Sequence, residues 1–123
     1  MIKISLDEAY VFDLLSILDL KKSKSEGSES SSKHIENYNN LYTEISESIG
    51  SELLSLILVS EEYERLKNTN IRVFDLVDLT LKDDGLAGAT AKENHKRFVL
   101  KNELQKSFFK NNLKETKIQY AKI

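Results

Sequence analysis

The sequence predicts a mainly α protein, a helical bundle or hairpin with one long helix. Three observations carry that expectation. Apolar residues recur at intervals of three and four along most of the chain, the spacing that places them on one side of a helix. There is no proline anywhere to interrupt such a run, and the residues between runs are serine-rich or contain glycine. The 123 residues suit a single helical domain, 1–123, which at this size buries roughly two-thirds of the surface of its unfolded chain. The one β element the pattern allows is a small two-stranded ladder joining the termini, Ile2-Lys3-Ile4 against Thr116 to Tyr120.

The first helix is expected over about Leu6 to Lys22. Ser5-Leu6-Asp7-Glu8 has the form of a capping box, in which serine and glutamate satisfy each other's orphaned backbone donors. Tyr10, Val11, Leu14, Leu15, Ile17 and Leu18 are assigned inward, and Asp7, Asp13 and Asp19 outward. Residues 23–33, SKSEGSESSSK, contain no apolar side chain. Nothing in them offsets the entropy of ordering, so a mobile loop is expected. A second helix starts near Ser32 and carries Ile35, Tyr38, Tyr42, Ile45 and Ile49 to Gly50, where a bend, a close crossing or a tolerated glycine is expected. SELLSLILVS, Ser51 to Ser60, is apolar almost all round, as at a bundle centre or a dimer interface, and Leu53, Leu56 and Ile57 are the candidate self-association residues.

Beyond Ser60 the apolar stripe narrows to Tyr63, Leu66, Asn70, Val73, Val77 and Leu81, which suits a long helix with Asn70 as a polar layer fixing register. Lys82-Asp83-Asp84-Gly85 supplies its stop. Thr90 to Glu93 forms a second capping box opening a helix to about Lys110, with Phe98, Val99, Leu104, Phe108 and Phe109 inward.

Composition excludes some chemistry. Without cysteine there is no disulfide partner, thiol nucleophile or thiolate metal site. The longest apolar run, Leu56 to Val59, is far short of the ~20 residues of a membrane span. Asp7 and Glu8 stand where an export signal would be apolar, so the expected location is cytoplasmic. His34 and His95 share no ligand spacing; His95 is read as partly buried and His34 as solvent-facing. Gly50-Ser51-Glu52 is no nucleophile elbow. Residues 92–123 carry 9 Lys/Arg against 3 Asp/Glu, a basic part able to meet nucleic acid, although its aromatic residues follow core spacing rather than alternating with the basic ones.

Two groups are candidate sites. Glu61, Glu64, Asp75 and Asp78 resemble the paired acids with which the all-helical nucleoside triphosphate pyrophosphohydrolases hold magnesium, and that resemblance implies a Mg-dependent enzyme. Geometry opposes it: on one helix Glu61 and Asp75 stand about 21 Å apart, and convergence requires Asn68-Thr69-Asn70 to be a turn. Glu61 with Arg65 and Glu64 with Lys67 instead have the spacing of surface ion pairs. The second group, Asn94, Arg97 and Lys101, forms a stripe bordering the apolar one, suited to an anionic ligand or, as preferred, to the acids of the preceding helix.

The chain also resembles a small family of bacterial helical proteins of about this size without an assigned function. The likeness rests on Ile2 to Ser5, Glu8, Asp13, Ile17 to Lys21, Leu66 to Asn70, Asp75 to Asp78, Asn94, Arg97, Lys101, Gln105 and Glu115 to Tyr120. It implies a helical architecture and no chemistry. The expected function is a non-catalytic, self-associating interaction or accessory protein, a homodimer needing no cofactor, with the magnesium enzyme and weak nucleic-acid binding as alternatives.

Overall fold

The helices of this chain differ in what reaches the backbone donors that a helix start leaves unpaired. In the computed structural model, which describes residues 2, 4–80 and 87–109 with the side chains of 78–80 and 87 excepted, the first helix, α1, spans Glu8–Lys24. The expected capping box does not open it. Asp7 is the N-cap and makes no side-chain cap hydrogen bond. The buried Gln105, far along the chain, takes over: its Oε1 accepts from the Ala9 amide at 2.8 Å and its Nε2 donates to Glu8 Oε2 at 2.8 Å. A tertiary contact thus satisfies the Ala9 donor, which the expected capping box, addressed to the Ser5 and Glu8 amides, does not reach. At the other end Lys21, Lys22 and Lys24 complement the negative end of the helix dipole.

Residues 25–30 turn the chain, with the Ser28 amide donating to the Ser25 carbonyl at 2.8 Å and Gly27 at φ 81°. Helix α2, Ser31–Ile49, follows. Ile45 is its buried residue, Tyr38, Leu41, Tyr42 and Ile49 flank the core, and Ile35 is exposed. Gly50, at φ 91° and ψ 152°, ends α2 and starts the short α3, Ser51–Leu58. Of the alternatives posed by this glycine, the bend is the one realised, because that backbone region is essentially confined to glycine.

Helix α3 does not bury its whole circumference. Leu54 and Ile57 enter the core, while Leu56 is 62% and Val59 81% exposed. Ser60 then joins two helices: its Oγ donates to the Ile57 carbonyl at 2.6 Å and accepts from the Tyr63 amide at 3.2 Å. That cap opens α4, Glu61–Thr80, with Glu61, Glu62 and Glu64 in its first turn. Carboxylates are stabilised there by the positive helix end. The helix runs unbroken through Asn68, Thr69 and Asn70, so no turn forms at those residues.

Helix α5 spans Ala87–Phe108 and begins before Thr90, which leaves the expected Thr90–Glu93 capping box inside the helix rather than at its start. The pairs Glu62–Ser107 and Arg72–Glu93 make α4 and α5 antiparallel. Ala9–Gln105 and Asp13–Lys101 do the same for α1 and α5. The core lies where α1, α4 and α5 meet the ends of α2 and α3. Phe12 is its hub, edge-on to Tyr63 at 6.2 Å and stacked on Phe109 at 6.3 Å, with Leu15, Leu54, Ile57, Leu66 and Leu104 fully buried around it.

The described residues thus form an all-α bundle of five helices with no strand. The ladder's partner, Thr116 to Tyr120, lies outside them, as do Leu81 and the stop at Lys82 to Gly85. Phe98 and Val99, expected inward, are exposed, because α5 turns Leu100 and Leu104 to the core and Arg97 and Lys101 to α1. Among the described residues no helix is long and apolar enough to cross a membrane.

Candidate functional site

Helix α1 repeats every 3.6 residues, so Ala9, Phe12, Asp13, Ser16 and Leu20 share its inner side, and all five are buried. Asp13, expected to face outward, is therefore 3% exposed. A carboxylate brought out of water needs donors and opposite charge, and α4 and α5 provide both. Asn70 Nδ2 donates to Asp13 Oδ1 at 2.8 Å and to Ser16 Oγ at 2.6 Å, while Ser16 Oγ donates to the Asp13 carbonyl at 2.7 Å. Arg97 Nε stands 3.5 Å and Lys101 Nζ 3.9 Å from Asp13 Oδ2. One aspartate serves two cations and one amide, all from other helices.

Asn70 is the polar layer expected of it, and both of its amide hydrogens are engaged, while Oδ1 is buried with no hydrogen-bond partner. The Arg97–Lys101 stripe is real but its partner differs from expectation. It pairs with Asp13 of α1 and, among the described side chains, with none of the acids of α4; the third member, Asn94, is exposed.

The acids of α4 are strung along the helix. Glu61 pairs with Arg65 at 3.2 Å, as its spacing indicates, and Asp75 pairs with Lys24 of α1 at 3.2 Å. Lys67, expected beside Glu64, instead reaches Asp19 of α1, which also holds Lys22 at 3.6 Å. Asp78 lies on the last turns of the same helix. Fourteen positions apart on one continuous helix, Glu61 and Asp75 remain about 21 Å from each other. Among the described residues no group of three or more acids or histidines is placed to hold a metal ion.

Two grooves flank α5. One, of about 360 Å³, lies against α4 and is bordered by Arg65, Arg72, His95 and Lys96. Its charge is largely neutralised: Glu93 accepts from Arg72 at 3.0 Å and from Lys96 at 3.1 Å, and those hydrogen bonds hold its carboxyl below the ordinary glutamate range. His95, expected partly buried, is exposed with its ring 6.5 Å from that of Phe98. The other groove, of about 290 Å³, is lined by Ile17, Leu20, Val73, Phe74 and Val77 and closed at its polar end by Asn70 and Arg97.

Of the candidate self-association residues, Ile57 is fully buried and unavailable to a partner, Leu53 is half-buried, and Leu56 is exposed beside Val59. Sequence reasoning placed neither Asp13, Ser16 nor Gln105 in a buried polar contact, although Asp13 and Gln105 stand among the residues that carry the family resemblance. For Asp13 and Ser16 the signal was present, since both fall in step with Ala9, Phe12 and Leu20. For Gln105 the one signal was its helical step from Lys101. Neither the family models, the curated proteins nor the solved structures contain a match to this chain.

Proposed function

We propose that the protein is a non-catalytic interaction or accessory protein that self-associates as a homodimer through the outer side of α3. The observation that carries this reading is the pair Leu56 and Val59, 62% and 81% exposed on adjoining positions of a stretch, Leu53 to Ser60, without a single charged residue. Charged residues make up 31% of the chain, so an uncharged apolar ridge of this length stands out from its surroundings. It is also self-compatible: two copies related by a two-fold axis present no like charges to each other along it.

Burying a Leu or Val side chain contributes about 1.5–3 kcal/mol. Four such side chains, two from each copy, therefore give a gross gain comparable to the ~4–15 kcal/mol cost of association. The dimer is accordingly weak and dissociates on dilution unless Leu53 and neighbouring polar contacts add to it. We take the cytoplasm as its compartment, on the sequence reading, and kinship with the small bacterial helical family on the motifs named above. The acids of α4 act in this reading as helix-start and surface-pair residues, so no cofactor is called for.

Sedimentation equilibrium over a concentration series tests the proposal. A monomer–dimer equilibrium is expected, with Leu56→Lys and Val59→Lys both monomeric and retaining the parent's helical circular dichroism. A parent monomeric at every concentration overturns it, as does a dimer indifferent to both substitutions.

A further inference from the structure

The Asp13 cluster holds unequal numbers of opposite charges. Among the described side chains one buried carboxylate faces two cations, Arg97 and Lys101, leaving a surplus of one positive charge beside the groove formed by Ile17, Leu20, Val73, Phe74 and Val77. Arg97 is the member that lines this groove, and it is poorly used. Its side chain is 29% exposed and its ion pair to Asp13 runs through Nε at 3.5 Å; among the described residues the guanidinium makes no hydrogen bond. An arginine carries five donors in a planar fork matched to carboxylates. Solvent reaches the donors that Asp13 does not use, and a ligand carboxylate can take the place of that water.

We propose that this groove binds a small apolar carboxylic acid, its carboxylate on the Arg97 guanidinium and its hydrocarbon body against Ile17, Val73, Phe74 and Val77. Size and charge each restrict the ligand. The groove's 290 Å³ lies at the lower edge of small-molecule clefts and accommodates about ten non-hydrogen atoms at ~30 Å³ for each water-sized unit. The surplus cation selects one negative charge, since a second would meet Asp13 across the guanidinium. The neighbouring groove between α4 and α5 is the weaker anion site, because Glu93 already occupies both Arg72 and Lys96. This inference is independent of the proposed dimer, whose α3 ridge shares no residue with the groove.

The test is titration of the full-length, isotope-labelled protein with phenylacetate, followed by amide chemical shifts, with neutral phenylacetamide as the matched control. Phenylacetate is expected to shift the amides of Ile17, Val73 and Val77 saturably, with a dissociation constant on the order of 1 mM for so small a ligand. The amide is expected to bind at least about 10-fold more weakly, having lost the charge-assisted contact. Arg97→Gln is expected to abolish the preference for the acid, and Val77→Trp, which fills the groove and leaves the Asp13 cluster intact, to abolish binding of both. The proposal is overturned by equal binding of acid and amide, by shifts centred on Arg72 and Lys96 instead, by no saturable shift, or by binding that survives Val77→Trp.

Discussion

Replacing Asp13 and Asn70 by leucine, singly and together, tests whether the buried polar cluster is an interacting unit. Leucine shares the γ-branched shape of both residues but is larger than either, so overpacking of this buried site comes on top of the polar losses that follow. In Asn70→Leu, Asp13 loses a charge-assisted hydrogen bond of 2.8 Å, about 1.5–3 kcal/mol, and Ser16 Oγ a neutral one, about 1 kcal/mol. Against this, the unpartnered Oδ1 no longer has to be buried, which returns about 1 kcal/mol. The net expected loss is about 2 kcal/mol. Asp13→Leu forfeits the same hydrogen bond and the attraction to Arg97 and Lys101. Those side chains are 29% and 22% exposed, so hydration tempers their loss and about 1 kcal/mol is assigned to it. The expected cost is about 3 kcal/mol. The double variant removes both ends of one hydrogen bond and should cost about 2 kcal/mol less than the sum of the singles. Urea unfolding followed by far-ultraviolet circular dichroism measures all four proteins, in a Leu56→Lys background so that association does not enter the free energies. A coupling below about 0.5 kcal/mol, with unchanged slopes against urea, would refute the account of the cluster as a coupled network.

Gly50→Ala should destabilise by about 1–3 kcal/mol even though a Cβ there meets nothing within 4 Å, because φ 91° with ψ 152° is closed to an L side chain; urea midpoints of the two proteins check it, and equal midpoints would show that the bend does not depend on glycine. Burial, with Tyr38 and Asp19 nearby, pushes the Tyr63 phenol well above its usual range. The folded state therefore loses stability as pH rises above about 10, where the unfolded phenol ionises and the folded one does not. Tyr63→Phe should flatten that alkaline slope in pH-dependent unfolding, and an unaltered slope would count against the burial argument.

Much of the architecture was legible because it is local. The spacing of Tyr63, Leu66, Asn70 and Val73 places these residues on one side of α4, and all four are buried. The same regularity across Asn68 to Asn70 separated the acids of α4 without any knowledge of the fold. Helix starts were less legible, since the amide of Ala9 is satisfied by Gln105, ninety-six residues away, and no neighbouring residue announces it. Helix α3 was half legible for a different reason. With apolar residues all round only eight positions, period cannot say which side meets the core, and Leu54 and Ile57 rather than Leu56 took that place. Asp13 was misplaced because its charge was weighed above its spacing.

That misplaced aspartate also explains why an ionic cluster persists where apolar side chains would pack. Buried ion pairs add little net stability, because desolvation offsets most of the attraction. What they penalise is misalignment. Sliding α1 by one turn against α4 and α5 would put Ile17 opposite Asn70 and leave Asp13 among apolar neighbours, and an unpaired buried charge costs about 3–5 kcal/mol. The apolar faces alone resist such a slide weakly, since Leu15, Leu66 and Leu104 could exchange neighbours of similar size. The cluster therefore selects one alignment of three helices. It does so with two cations on one acid, and the surplus cation fixed by that alignment is the Arg97 that faces the apolar groove.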